Sequence, residues 1–342
     1  MISHARLDEL LDRFTTLTVS VVGDLFLDRY LDIAPGVQED SVETELEAYQ
    51  IPSVRNYPGA AGTVMNNLAT IGVELIRPVT VIGDDGHGYD LMQQLTKLPV
   101  DAAHVLASPD RLTPTYTKPL RQNNHGNWEE LNRLDVRSRE PLPEPLSEAL
   151  QQHIEQAFHD SNGMIVLDQI NEENWGVIND PIRSFLSNLA RQNPEKLIFV
   201  DSRSQLHRFH FGTLKGNRSE IIAAAGVEDT GTTAAAQAAQ HLSAKTKKTV
   251  FCTLGPDGTL TAQPDHPAQL SPGFQVSGPV DICGAGDSAS CGIVCSLLAG
   301  ANPLEAALVG NLVASITVQQ LGTTGTASPE QIRMRWQEIS EN

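Results

Sequence analysis

Residues 281–290 read DICGAGDSAS, three small residues between two aspartates, and run straight into the apolar CGIVCSLLAGA of residues 291–301. That run has the length and character of a helix, so Gly284, Ala285 and Gly286 stand where a helix begins. Consecutive small residues at a helix start let backbone N–H groups converge, and the helix dipole adds positive potential there. Such a nest cradles a phosphate or a developing oxyanion. An acid beside bound phosphate is repelled and so needs a purpose. Asp287 can accept the proton of a hydroxyl that attacks a phosphoryl group. The plainer alternative is a glycine-rich turn with Asp287 as a helix cap.

Outward from this stretch, strands alternate with helices. Leu7, Leu10, Leu11, Phe14 and Leu17 recur at helical spacing, then LTVSVVGD (17–24) reads as a buried strand ending in glycine and acid. AAGTVMNNLATIG (60–72) is helical, and LIRPVTVIGDDG (75–86), GMIVLD (163–168), KLIFVDSR (196–203) and TVFCTLG (249–255) are strand-like. The alternation predicts an α/β fold: an open, mostly parallel sheet with helices on both faces, whose ligands gather beyond the carboxyl ends of the strands. Segments 31–56 and 112–137 break the rhythm. They are polar, β-leaning and carry the turn signal Asn124-His125-Gly126, which predicts a small separate sheet serving as a lid. SREPLPEPLSE (138–148) leads from that lid into a helix.

The chain has 342 residues, enough for one large α/β domain or two smaller ones, and a formal net charge of −18. A broadly acidic surface argues against nucleic acid or an anionic membrane as the main partner, while leaving room for a local basic pocket. No stretch approaches the roughly 20 apolar residues of a membrane span. The first residues lack an apolar signal region, which points to the cytoplasm. Cys252, Cys283, Cys291 and Cys295 form no C-x-x-C pair, and the last two read as core packing. His207 and His210 invite a metal reading, but no third ligand is placed by sequence. G-x-x-x-x-G-K-[ST] and G-x-G-x-x-G are both absent.

DICGAGD resembles the D-T-x-G-A-G-D signature of the PfkB-type, ribokinase-like sugar kinases. VVGDLFLDRY, PGAAGTVMNNLATIG, VIGDDGHG, NRSE, CTLGPDG and LGTTGTASP follow in that family's order. With GDLFLDRY near the start, TKPLR and NRLD in the lid and GTTGTASP near the end, the chain is similar to the heptose 7-phosphate kinase domain of ADP-heptose synthesis enzymes. The resemblance implies a ribokinase-like fold over residues 1–342 as a single kinase domain, with no room for the nucleotidyltransferase domain that some of those enzymes carry. It implies ATP and magnesium, leaves a monovalent cation open, and implies a sugar or sugar-phosphate substrate and a homodimer formed through the lid.

Carried over position by position, the resemblance makes Asp287 the catalytic base and Gly284, Ala285 and Gly286 the anion hole. Asn217 and Glu220 match N-x-x-E, which organises magnesium through water or phosphate. Thr253, Gly255 and Gly258 match the nucleotide loop, and Asn311 lies on the helix flanking the adenine. Asp24, Asp28, Gly59 and Thr63 fall at the sugar end. Lys118, Arg121 and Arg133 are candidates for a distal sugar phosphate, or solvated lid charges. The kit is coherent, since phosphoryl transfer needs mainly positioning and charge neutralisation.

The departures cluster at the sugar end. Cys283 replaces the threonine before G-A-G-D, at a helix start where its pKa can fall unless burial makes it inert. The family's G-G-x-x-x-N becomes Gly59-Ala60 followed by Thr63. LDQINEENWG keeps Asp168 but not the lysine of Asp-Tyr-x-Lys-Gly, and VDSRS keeps Asp201 but not the Pro-Lys after it. Two alternatives therefore stay open: a kinase for another acceptor, such as a hexose phosphate or nucleoside, and a non-catalytic sugar- or nucleotide-binding homologue.

Overall fold

A computed structural model describes residues 2–123, 125–229, 231 and 233–341. Ser3 caps α1 (His4–Phe14) by accepting the Arg6 N–H, and the helix buries Leu7, Leu10, Leu11 and Phe14. Leu17 is buried as well but lies beyond the helix end, immediately before β1 (Thr18–Gly23). The chain then forms β2 (Leu25–Asp32), β3 (Ser53–Ala60), α2 (Ala61–Ile71), β4 (Leu75–Gly83), α3 (Gly86–Leu95) and β5 (Val105–Ser108). Three lid strands follow: β6 (Thr115–Gln122) and the shorter β7 (Trp128–Glu130) and β8 (Leu134–Val136). The alternation resumes with α4 (Glu144–His159), β9 (Gly163–Asp168), α5 (Asp180–Gln192), β10 (Leu197–Ser202), β11 (Thr213–Asn217), α6 (Arg218–Ala225) and α7 (Ala234–Thr246). It closes with β12 (Val250–Thr253), β13 (Gly258–Ala262), β14 (Gln269–Pro272), α8 (Ala285–Leu298), α9 (Pro303–Thr317) and α10 (Pro329–Ser340).

The large sheet has nine strands in the order β14-β13-β12-β11-β10-β9-β1-β4-β5. Every pair from β12 to β5 is parallel, and β13 and β14 add an antiparallel edge. Parallel strands buried on both sides read as continuous apolar runs, which is why GMIVLD and TVSVVG lack alternation. One face packs Leu10, Phe14, Leu68, Cys291, Cys295 and Leu312 from α1, α2, α8 and α9. The other packs Ile154, Ile182, Ile221 and Ala238 from α4, α5, α6 and α7. The expected mostly parallel sheet with helices on both faces is present, and Cys291 and Cys295 are core residues.

The small sheet runs β3-β2-β6-β7, with β8 paired to β6. It differs from the expected lid in its limits. It begins at Leu25 and includes all of β3 to Ala60, whereas residues 33–52 are irregular apart from an Asp40–Glu47 bridge. Leu25, Phe26 and Leu27 are apolar and buried, so the first strand of the small sheet does not share the polar character on which the expected limits rest. The break between β1 and β2 is Gly23 at φ +149°, where a Cβ would lie 2.0 Å from the Leu167 carbonyl oxygen. Of the expected 124–126 turn, Asn124 lies outside the described residues, and the Gly126 N–H donates to the Asn123 carbonyl (2.9 Å) between β6 and β7.

Candidate active site

The start of α8 meets the carboxyl ends of β10 and β11. Gly284 is its N-cap at φ +77°, a conformation open to glycine, and a Cβ there would stand 3.3 Å from Thr324. Asp281, the first aspartate of the motif, fixes the turn by accepting the N–H groups of Cys283 and Gly322, both at 3.0 Å. The three small residues are not equivalent. The Ala285 N–H donates to the Ile282 carbonyl (3.2 Å), whereas those of Gly284 and Gly286 meet no acceptor among the described residues. Ala285, expected as a third anion donor, instead closes the turn that aims the other two.

Asp287 occupies the first turn of α8, and its carboxylate has no hydrogen-bond or ion-pair partner among the described residues. Burial and then the Asp201 charge push its pKa up to about 7, against the pull of Lys215 and Arg203. Beneath the nest, Lys215 Nζ pairs with Asp201 Oδ2 at 2.8 Å, and Ser290 Oγ donates to the same oxygen at 3.2 Å. Asn217 and Glu220 form a reciprocal capping box at the start of α6. Asn217 Oδ1 accepts the Glu220 N–H (3.0 Å), and Glu220 Oε2 accepts the Asn217 N–H (2.7 Å). Burial raises the Glu220 pKa against that hydrogen bond.

On the expected nucleotide side, Thr253 ends β12 and its Oγ1 approaches the Gly216 carbonyl at 3.5 Å. Gly255 (φ +61°) and Gly258 (φ +104°) bracket a short turn. A Cβ on Gly258 would lie 2.2 Å from the Ser271 carbonyl oxygen, so this glycine serves packing of the β13–β14 hairpin. Asn311, on α9, has a fully engaged side chain. Its Nδ2 donates to the carbonyls of Ser271 (2.9 Å) and Pro272 (3.0 Å), and its Oδ1 accepts from Thr259 Oγ1. Its polar atoms hold the β13–β14 hairpin to α9.

The sugar end departs further from expectation. Asp24 is 2% exposed, and both its oxygens point into the 169–177 loop: Oδ1 accepts the Val177 N–H (2.7 Å), and Oδ2 accepts those of Gln169 (3.0 Å) and Ile170 (3.2 Å). It anchors a loop instead of presenting oxygens to hydroxyls. Asp28 faces Lys118 at 3.4 Å and lies over Gly59, while Thr63 is buried in the first turn of α2. The three lid cations are already paired: Lys118 with Asp28, Arg121 with Glu47 (2.8 Å), and Arg133 with Asp135 (2.6 Å) while stacked on Tyr116. Arg203, which follows Asp201 and Ser202, donates its backbone N–H to the Asp168 carbonyl (3.0 Å), its guanidinium has no hydrogen bond or ion pair among the described residues, and its charge lowers the pKa values of Asp287 and Glu220. Sequence reasoning missed Lys215 and Ser290 altogether and saw Arg203 only as a departure.

The profile of the pfkB family carbohydrate kinase matches residues 27–331. The chain belongs to the pfkB family of carbohydrate kinases. It is therefore a phosphotransferase acting on a sugar hydroxyl. It is 28% identical over 339 residues to the bifunctional protein HldE of Trichlorobacter lovleyi, covering 95% of this chain and 64% of that protein. It thus spans somewhat less than two thirds of that relative. Phosphofructokinase-2 from Escherichia coli in complex with potassium shares the fold, with a TM-score of 0.72 and 18% identity over 95% of this chain and 99% of that one. Ribokinase from Arabidopsis thaliana complexed with ribose and ATP does so with a TM-score of 0.66 and 16% identity over 93% and 98%.

Within this carbohydrate kinase, Cys283 behaves in neither of the expected ways. The residue is exposed overall, and partial desolvation of its sulfur together with the Asp281 charge raises the thiol pKa instead of lowering it. Ala60, at the second glycine position of the motif, keeps a backbone suited to glycine (φ +52°, ψ −113°). Asp168 is buried, accepts from Ser202 Oγ (2.9 Å), and has a pKa pushed up to about 7 by burial and the Asp24 charge. His207 sits on a three-residue 3₁₀ turn and His210 beyond it, so the two do not share an α-helical face. Both line a polar groove of about 540 Å³ with Arg183 and Arg208, and it shares no residue with the nest. Among the described residues, no helix is long and apolar enough to cross a membrane.

Proposed function

We propose that this carbohydrate kinase transfers the γ-phosphoryl group of ATP to a sugar-phosphate hydroxyl, with heptose 7-phosphate as the leading acceptor. One observation carries the reading: Asp287, unpaired and with a pKa near neutrality, directly follows Gly286, whose N–H has no acceptor among the described residues. The acceptor oxygen attacks the γ-phosphorus and its proton passes to an Asp287 oxygen. The new O–P bond forms as the bond to the β-phosphate bridging oxygen breaks, and the leaving ADP keeps that electron pair. The Gly284 and Gly286 amides hold the transferred group, and the small sheet excludes water as a lid.

The oxygens of Asn217 and Glu220 suit a hard cation, and these residues would hold magnesium through water. When bound, magnesium supplies charge neutralisation on the phosphates. Exchanging sodium for potassium in the assay reads any monovalent-cation need. The acceptor is identified by ³¹P NMR of products from a panel that includes heptose 7-phosphate, hexose phosphates and nucleosides. A new phosphoester on heptose 7-phosphate alone supports the reading, and turnover confined to another acceptor replaces it. That second reading draws on Asp24, whose oxygens are turned to the 169–177 loop, and on Thr63.

The lid's outer residues Val54, Leu134 and Trp128 are exposed, which supports a homodimer formed through the small sheet. Solution scattering with the mass of one chain would remove it. Residues 1–342 then act as a single kinase domain.

A further inference from the structure

Lys215 is a buried cation with more donors than partners. It lies on β11 and is 5% exposed. An ammonium carries three N–H donors. One goes to Asp201 Oδ2 at 2.8 Å, and no other described residue accepts from Nζ. Register puts Lys215 directly opposite Asp201 on β10. Its tip does not point away from the nest: a Cβ on Gly286 would lie 3.0 Å from Nζ, so the ammonium occupies the space a side chain would take at that position. The same Asp201 oxygen lies 3.2 Å from Ser290 Oγ, whose one proton it shares with the Gly286 carbonyl at 2.9 Å.

Burying a lysine is costly unless it is paired, and a single pair removed from water rarely gains stability over a hydrophobic replacement. A strand tie alone would be served by two apolar side chains. The charged groups around Nζ are Asp201 of β10, Asp287 of α8 and Glu220 of α6, with Arg203 beyond the end of β10. Three acids and a phosphate cannot share one pocket without a fixed positive charge.

We propose that Lys215 is the catalytic cation of the phosphoryl-transfer centre, held by Asp201 against Gly286 so that its remaining N–H donors meet an oxygen of the transferred group. This rests on the phosphoryl-transfer reading above. It also gives the chain a cation from β11 where the Pro-Lys expected after Asp201 is absent.

The test pairs two neutral substitutions, Lys215→Met with Asp201→Asn, so that no unpaired charge stays buried. Two readouts are taken, steady-state kinetics and the rise in melting temperature produced by inorganic tripolyphosphate. The double variant is expected to melt as a folded protein, to lose kcat by about 10²–10³-fold with acceptor KM changed less than threefold, and to lose the tripolyphosphate shift. A double variant with kcat within fivefold of wild type and an intact shift overturns the proposal and reduces Lys215 to a partner for Asp201. Should the double variant have no melting transition, Lys215→Gln carries the same test, since it keeps an N–H donor and removes the charge. A wild-type chain that turns over no acceptor, yet shows a tripolyphosphate shift that the double variant loses, sinks the kinase reading while keeping Lys215 as the anion-binding cation.

Discussion

The Asp28 carboxylate stands over Gly59, where a Cβ would come within 2.8 Å of Oδ2. The two are neighbours across the β2–β3 pair, with Asp28 opposite Tyr57 and Gly59 opposite Phe26. The obstructing atom is the end of a flexible side chain, so Gly59→Ala should displace the Asp28–Lys118 pair without unfolding the lid. The expected outcome is an acceptor KM raised about tenfold, equivalent to about 1.4 kcal/mol, at nearly unchanged melting temperature. An unchanged KM would remove this pair from the acceptor site.

Ala60 adopts a conformation that costs an L-residue about 1–3 kcal/mol. Ala60→Gly relieves that strain and adds back about 0.5–1 kcal/mol of chain entropy to the unfolded state. Stability measured by urea unfolding should therefore rise by about 1 kcal/mol. A loss would mean that the Ala60 methyl contributes packing that outweighs the strain.

Asp24 presents a carboxylate oxygen to each arm of the 169–177 loop. Asn keeps one acceptor and turns an N–H₂ donor toward the N–H groups of the other arm. Asp24→Asn should destabilise the fold by about 1–3 kcal/mol. A sugar-hydroxyl ligand would behave differently, with a raised KM and unchanged stability.

Asp168 and Asp287 both have pKa values of about 7 in the folded chain, above the ordinary carboxyl value of about 4. The native state therefore binds more protons than the unfolded state between those values. Their stabilising contribution is complete below about pH 4 and is lost as pH rises through about 7. Asp287→Asn removes part of that loss. Allowing for solvent screening, it should be more stable than wild type by on the order of 1 kcal/mol at pH 8, with the difference vanishing near pH 4. Urea unfolding at the two pH values reads it, and a difference that grows toward low pH would reverse the assigned direction.

What the sequence made legible was local. The nest, Asp287 and the Asn217–Glu220 pair each lie within a few residues, and the strand and helix patterns around them suffice to predict a mostly parallel sheet with helices on both faces. The sugar end is assembled at long range, and there the sequence is least legible. Nothing near Asp24 signals that residues 169–177 will claim both its oxygens, since the partners lie more than a hundred positions away. Lys215 is hidden differently. Only the β10–β11 register reveals the lysine of TLKGN as the buried partner of Asp201. The lid limits were missed because its first strand opens with the buried apolar residues Leu25, Phe26 and Leu27, whereas the expected limits rest on polar segments.

The most direct measurement is acceptor-dependent ATP consumption at pH 8 for wild type and Asp287→Asn side by side, with circular dichroism to confirm the fold. The account predicts turnover on a sugar phosphate that falls by about 10³-fold or more in the variant, since a base lost from phosphoryl transfer is not replaced by water at that rate. A variant that stays folded and retains activity within tenfold of wild type would contradict Asp287 as the base.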